Sequence, residues 1–147
     1  MSHFSTVKTK LINRECLVQA LEDLKLQPKV YETPQPLTGY YGNSQGQSAE
    51  IVVPGYTFHA RADMGFRWTG TEYEMIQDEY EIIRQFGGKF YATQLMPAYG
   101  KRMVLAKAEE LRERFGECTI TEETAGQVQT LRLTFAGHQE AKQYARR

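Results

Sequence analysis

The chain has 147 residues, of which 41% are hydrophobic and 24% are charged. This composition is ordinary for a globular domain, and the length is sufficient to bury a core without disulfide or metal staples. The 18 basic and 18 acidic residues cancel to a formal net charge of zero. That balance argues against charge-driven binding to nucleic acid or to a membrane surface, and we expect neither partner.

Two cysteines, Cys16 and Cys118, are too few for a disulfide framework. Each lies in an apolar periodic pattern, which predicts that both are reduced residues of the core. No run of residues approaches the roughly 20 apolar positions of a membrane span, and the first residues lack the apolar segment of a signal peptide. We therefore expect a cytoplasmic location.

The first 32 residues have a β-α-β pattern. Residues 3–9 alternate apolar and polar side chains, which predicts a short strand. Asn13 is a suitable N-cap for the following helix, in which apolar residues recur at helical spacing. Pro28 ends this segment, and the residues KVYE after it predict a second short strand.

Residues 33–48, TPQPLTGYYGNSQGQS, are rich in Pro, Gly, Gln and Ser. They predict a long flexible loop or insertion, with Tyr40 and Tyr41 as its anchors. The loop is either a mobile binding loop or a tolerated surface insertion, and we favour the second interpretation. A strand is predicted in AEIVVPG directly after it.

Residues 62–80 contain the chain's only tryptophan and predict a β-hairpin. Met64, Phe66 and Trp68 alternate with other residues in the period of two that is typical of a half-buried strand. The dipeptide at 69–70, Thr-Gly, suits a two-residue turn because glycine accepts a positive φ angle. The aromatic residues are therefore explained by folding alone.

The two-residue turn also predicts the pairing across the hairpin. It places Arg67 opposite Glu72 and Phe66 opposite Tyr73, so that unlike charges meet on one face and apolar residues meet on the other. We expect Phe66, Trp68 and Tyr73 to belong to the core.

Carboxylates are concentrated around the hairpin, from Asp63 to Glu81. A pair of them would suit general acid–base chemistry or a hard metal ion. Alternating carboxylates along a strand are more often its solvated face, which is the interpretation we favour. The mildly basic C-terminal residues HQEAKQYARR are likewise expected to be solvated.

The sequence pattern of the second half of the chain predicts helices followed by a sheet. A short helix from about residue 79 is broken at Gly87-Gly88, and a long helix with Pro97 in its first turn ends before Gly116. ECTIT and QTLRLTF then predict a strand-turn-strand. The expected core residues of this half are Val104, Ala108, Leu111, Phe115, Cys118, Ile120, Leu131, Leu133 and Phe135.

Motifs for phosphate loops and zinc sites are missing from the sequence, and its three histidines are scattered. We therefore predict no catalytic residue, no metal ligand and no cofactor. His3 stands at the start of the first predicted strand and is either a water-facing residue or part of a partner-binding segment. The candidate binding residues are His3, Asp63, Tyr40 and Tyr41.

Five stretches resemble one known family: MSHFSTVKTKL, ALEDL, AEIVV, DMGFRWTGTEYEMIQD and AYGKRMVLAKAEE. The chain resembles the small conserved reading-frame proteins of cyanobacteria and algal plastids, the family numbered thirty-five in the plastid series. That family belongs with a wider bacterial and phage family of unknown function. The resemblance extends from residue 1 to about residue 135. It implies a cyanobacterial-type cytosolic or plastid stromal protein, and it implies no reaction.

We predict a single α+β domain over residues 1–147, with a largely antiparallel sheet and helices packed on one face. A ferredoxin-like or duplicated ferredoxin-like arrangement is the specific expectation. The predicted function is that of an accessory or adaptor protein that binds a protein partner. Two alternatives remain: an enzyme with an unrecognised site near Asp63, His3 or Cys118, and a single-strand nucleic-acid binder that uses an aromatic sheet face.

Overall fold

The structure, a computed structural model, describes residues 3–115, 118–125, 128–135 and 141–146. The chain divides into two compact units, Met1–Phe90 and Tyr91–Arg147. The elements of the first unit are β1 (Phe4–Leu11), α1 (Arg14–Asp23), β2 (Lys29–Pro36), β3 (Ser48–Val53), a 3-10 turn (Gly55–Phe58), β4 (Met64–Trp68), β5 (Tyr73–Asp78) and α2 (Glu79–Phe86). The prediction of one domain over the whole chain stays a prediction.

The first unit is built on a five-stranded sheet in which all paired strands are antiparallel, in the order β1-β5-β4-β3-β2. Strands β2 to β5 form a meander, and β1 pairs with β5. Helix α1 therefore connects the two edge strands. The predicted α+β class is confirmed, whereas the β-α-β-β-α-β order of a ferredoxin-like fold is not followed, because β2 to β5 succeed one another without an α-helix.

Helix α1 begins where the sequence predicts. The side chain of Asn13 accepts a hydrogen bond of 2.9 Å from the backbone N–H of Cys16, which satisfies one of the free donors of the first turn. The apolar stripe of the helix is almost fully buried and includes Cys16, which is a reduced core residue as predicted. The fully buried residues of this helix are Cys16, Leu17, Ala20 and Leu21.

The sheet buries residues on both of its faces. Met64, Phe66 and Met75 share one face and are completely buried. The opposite face holds an apolar cluster to which the loops contribute as well as the strands; its members are Phe4, Leu37, Ala49, Val52, Ala62 and Ile76. Both faces of the central strands therefore belong to the core, so period-2 alternation does not mark a solvent-facing side there.

The hairpin of β4 and β5 forms, but its register differs from the prediction by two residues. Trp68 lies opposite Tyr73, and Arg67 lies opposite Glu74 instead of Glu72. The reason is a longer turn, which is closed by a backbone hydrogen bond of 2.8 Å from the Thr69 N–H to the Glu72 carbonyl. A shift of two residues keeps every side chain on its predicted face.

The shift changes the surroundings of the aromatic residues. Phe66 is fully buried and Tyr73 is 6% exposed, as predicted for core residues. Trp68 is 39% exposed, so its assignment to the core was wrong. It lies at the end of β4, where its ring packs edge-to-face on Tyr73 with 4.9 Å between ring centroids.

The segment 33–48 is more ordered than the flexible loop that its composition predicts. Its first four residues, 33–36, continue strand β2, and Ser48 already belongs to β3. The remainder is closed by a backbone hydrogen bond of 3.0 Å from Leu37 N–H to the Gln47 carbonyl. Leu37 is 1% exposed and anchors the loop, whereas the predicted anchor Tyr41 is 65% exposed.

The second unit contains a π-helical turn (Tyr91–Leu95), helix α3 (Met96–Phe115) and a three-stranded antiparallel sheet, β6 (Cys118–Ala125), β7 (Val128–Phe135) and β8 (Ala141–Arg146). The predicted strand-turn-strand is confirmed as β6 and β7. Residues 141–146 of the basic C-terminal stretch form β8, which pairs with β7. The expectation that their charged side chains are solvated stays a prediction, because these side chains lie outside the described residues.

Two of the expected core residues of the second unit, Val104 and Ala108, are buried, and Leu111 is half-buried. Gly116 and the side chains of the other expected core residues, including Cys118, lie outside the described residues. None of the described helices is long and apolar enough to cross a membrane.

Candidate functional site

The loop at residues 37–47 carries Tyr40 and Tyr41 into a cluster of aromatic rings. Tyr40 lies edge-to-face on Tyr41 and on Tyr80 of α2, with centroid distances of 5.0 and 6.4 Å. The guanidinium carbon of Arg61 lies 5.1 Å from the centroid of the Tyr40 ring. We call these four residues, Tyr40, Tyr41, Tyr80 and Arg61, the tyrosine patch.

The patch combines fixed geometry with exposed side chains. Edge-to-face rings and a cation above a ring face are both favourable arrangements, because the ring has a negative face and a positive edge. Tyr40 is half-buried between its neighbours, whereas Tyr41 and Tyr80 are 65% and 56% exposed. The patch therefore presents two large aromatic side chains to solvent.

Asp63 holds the two loops beneath the patch together. One carboxylate oxygen accepts the backbone N–H of Thr38 and the other accepts that of Gly55, both at 2.9 Å. The backbone N–H of Asp63 donates in turn to the Thr38 carbonyl at 2.8 Å. Both oxygens are thus engaged by backbone donors, which indicates a positioning role for Asp63.

His3 directly precedes a residue that is hydrogen-bonded to the loop at residues 37–47. The residue itself is exposed, and it directly precedes β1. The next residue, Phe4, donates its backbone N–H to the Gln45 side chain at 3.0 Å and is 8% exposed. The N-terminal segment is therefore tied to the loop that carries Tyr40 and Tyr41, as a fixed strand end requires.

Two carboxylates at the start of α2 are buried beside the patch. Asp78 is 2% exposed and caps the helix by accepting the backbone N–H of Glu81 at 3.2 Å. Glu81 is 1% exposed and accepts the backbone N–H of Arg61 at 3.0 Å. The prediction that these acidic residues form a solvated face was wrong for both.

Glu81 also binds Arg84. The Arg84 guanidinium donates to both oxygens of the Glu81 carboxylate, at 3.1 and 3.0 Å. These hydrogen bonds raise the pKa of Arg84 above its usual value, so the guanidinium stays charged. Glu81 therefore holds the backbone of Arg61 and pairs with the guanidinium of Arg84.

Sequence reasoning found Tyr40 and Tyr41 but missed Arg61, Tyr80 and Glu81. The spacing of Asp78 and Glu81 is that of a helix capping box, which is the available sign that α2 begins there. The contact between Arg61 and Tyr40 has no local sign, because the two residues come from different loops. Within the described residues, no group of three or more His, Cys, Asp and Glu is placed to hold a metal ion.

A family profile described as "Protein of unknown function (DUF1257)" matches residues 20–134. The chain belongs to this family. That assignment agrees with the resemblance drawn from the N-terminal and hairpin motifs.

Two individual relatives support the same family assignment. An "Uncharacterized protein ycf35" of Guillardia theta is 32% identical over 110 residues, which are 75% of this chain and 80% of the relative. A protein of the same name from Cyanophora paradoxa is 28% identical over 120 residues, 78% of this chain and 88% of the relative. No solved structure matches the chain significantly.

Proposed function

We propose that this protein is an accessory or adaptor protein that acts by binding another protein through the tyrosine patch. The observation that carries the proposal is the pair of exposed rings, Tyr41 and Tyr80, held against Tyr40 beside Arg61. Tyr and Arg are enriched at interface hot spots, because they offer a large contact area together with hydrogen bonds. A patch that is already ordered loses little conformational entropy when it binds.

The charges around the patch favour a protein partner over nucleic acid. Arg61 and Arg84 lie next to the buried Glu81, and the exposed Glu79 precedes Tyr80. A phosphate backbone is bound by a clear surplus of positive charge, which this surface lacks. The proposed location is the cytoplasm or the plastid stroma of an alga. The named relatives support it, since they come from plastid-bearing algae.

The test compares two surface variants in their binding to proteins of a nuclease-treated lysate of the native host. The double variant Tyr41→Ser, Tyr80→Ser removes the exposed rings of the patch. The control, Tyr56→Ser, removes a tyrosine that is 63% exposed and lies outside the patch. Each variant is first checked for an unchanged unfolding midpoint.

We expect one partner to be retained by the wild type and by Tyr56→Ser, and to be lost from the double variant. With that partner purified, the double variant should bind at least about 10-fold more weakly, as truncation of hot spots does. If the double variant retains every partner that the control retains, the patch is not the binding surface. If the N-terminal segment shares the surface, His3→Ala weakens the same complex without loss of stability.

A further inference from the structure

A second surface lies on the opposite face of the five-stranded sheet, away from the cluster of Phe4 and Leu37. It is a cleft of about 330 Å³, a volume within the range of small-ligand sites. Its lining includes Trp68 of β4, Tyr73 of β5, Tyr31 of edge strand β2 and Arg14 at the start of α1. We call it the aromatic cleft.

The aromatic side chains of the cleft are available for contact. Trp68 is 39% exposed and Tyr31 is 38% exposed. The edge-to-face contact with Tyr73 fixes the indole ring of Trp68 in one orientation. Indole has the most favourable aromatic face for a cation, and this gain increases where the cation is shielded from water.

Acidic groups outnumber basic groups around these rings. The cleft is lined by two carboxylates, Glu32 and Glu50, and by the single guanidinium of Arg14. Glu50 is held in place, because one of its oxygens accepts the backbone N–H of Trp68 at 3.2 Å. A carboxylate fixed beside an exposed indole ring attracts a positively charged group.

A second cleft adjoins the first and shares Arg14 with it. It has a volume of about 340 Å³ and is lined in part by Val18 of α1 and Val30 of β2. Val30 is 44% exposed, so this neighbour offers apolar surface to an aliphatic group. The two clefts together suit an extended chain that carries a cationic side chain and, near it, an aliphatic one.

We propose that the aromatic cleft binds an arginine side chain of an extended segment of a partner protein, with an aliphatic side chain of that segment in the adjoining cleft. A planar guanidinium stacks on an indole ring and pairs with a carboxylate in the same plane, which an ammonium group does less well. The binding does not depend on the tyrosine patch, which lies with the loops on the other side of the sheet.

Because Trp68 is the only tryptophan, its fluorescence reports on the cleft directly. The probe is a capped pentapeptide of sequence glycine-arginine-glycine-leucine-glycine. Its matched control replaces arginine with citrulline, which keeps the shape of the side chain but has no charge. We expect a saturable change in Trp68 emission with the arginine peptide and at least about 10-fold weaker binding of the citrulline peptide.

The variant Glu50→Gln tests whether binding depends on the negative charge of the cleft, because it removes that charge and keeps the shape of the side chain. Glu50→Gln keeps an oxygen that accepts the Trp68 N–H but removes the negative charge. It should weaken binding of the arginine peptide by about 5- to 10-fold, as expected for a lost charge-assisted contact. Glu72→Gln, in the turn of the same hairpin, is the control and should leave the affinity unchanged.

The proposal is overturned if the arginine peptide gives no saturable change, if citrulline binds equally well, or if Glu50→Gln binds as the wild type does. Equal binding of the peptide and of N-acetyl-arginine amide would contradict the extended partner segment and leave a site for a small guanidinium compound. None of these outcomes affects the lysate experiment. The proposal for the aromatic cleft can therefore be wrong while the proposal for the tyrosine patch is right, and the reverse.

Discussion

Phe66 and Trp68 lie two residues apart on one face of β4 but have opposite surroundings. Phe66 lies in the middle of the sheet and is fully buried, whereas Trp68 at the strand end is 39% exposed. The same alternating pattern therefore contains a core residue and a residue of the aromatic cleft. The position along the strand, and not the hydrophobicity of the side chain, decides which of these two residues is buried.

We expect Phe66→Ala to lower the free energy of unfolding by about 3–5 kcal/mol, because it removes a large buried side chain and leaves a cavity. Trp68→Ala should cost clearly less, since part of its ring is already in water. Urea denaturation followed by circular dichroism measures both, and does not depend on the tryptophan. A loss below about 1 kcal/mol for Phe66→Ala would contradict its place in the core.

Ionisation of the Tyr73 phenol makes the free energy of unfolding depend on pH in the alkaline range. Burial raises the pKa of Tyr73 above its usual value of 10.0; Arg14 lowers this pKa and Glu50 raises it. Above pH 10.0 the unfolded chain loses the phenol proton while the folded chain keeps it. The unfolded state then binds fewer protons, so the free energy of unfolding falls as the pH rises.

The measurement is urea denaturation on both sides of that pH. Tyr73→Phe should show a smaller alkaline decline than the wild type, because the variant has no phenol to ionise at this position. Tyr41→Phe, which changes a solvent-exposed residue, is the matched control and should keep the decline of the wild type. An unchanged decline in Tyr73→Phe would contradict the role assigned to this residue.

At the scale of elements, β4 and the loop at residues 37–47 meet at Gly65. A β-carbon added at Gly65 would lie 2.8 Å from Leu37 Cδ1 and 2.9 Å from Ala49 Cβ, which is closer than carbon atoms pack. Leu37 is the buried anchor of the loop that carries Tyr40 and Tyr41. The glycine therefore allows the loop to lie flat on the sheet.

We expect Gly65→Ala to destabilise the protein by about 1–3 kcal/mol, because the loop or the strand must move to admit a methyl group. The control is Gly88→Ala, where an added β-carbon has nothing within 4 Å, and its effect should stay within about 0.5 kcal/mol. Thermal or urea unfolding compares the two variants. Equal stabilities would show that Leu37 does not lie tightly over Gly65.

At the scale of the whole molecule, the number of domains is open to direct test. The first unit has a complete antiparallel sheet and apolar clusters on both of its faces. Its last residue, Phe90, contacts Phe86 in a tilted arrangement with 4.3 Å between ring centroids. The sheet and these clusters consist of residues of the unit itself.

We expect a fragment of residues 1–90 to fold alone and to unfold cooperatively in urea, with a smaller m-value than the full chain because less surface is exposed on unfolding. Circular dichroism and the emission of Trp68 should report the same transition. A fragment without a cooperative transition would support the single domain that the sequence predicts.

Much of the fold followed from local patterns. Asn13 marked the start of α1, the alternation of Met64, Phe66 and Trp68 marked β4, and the glycines at 87–88 marked the end of α2. These elements are set by neighbours in sequence, through capping, period and turn chemistry. The tyrosine pair of the candidate site was visible for the same reason, as an aromatic dipeptide in a polar loop.

By itself, the sequence determined the α+β class, the antiparallel hairpin and the family. Only the tertiary structure decided that Arg67 pairs with Glu74, that Asp78 and Glu81 are buried, and that Arg61 lies on Tyr40. The hairpin register depends on a turn two residues longer than the shortest one allowed. The hydrogen bond from Arg61 to Glu81 and the contact of Arg61 with Tyr40 join residues that are far apart in the chain, which local propensity does not encode.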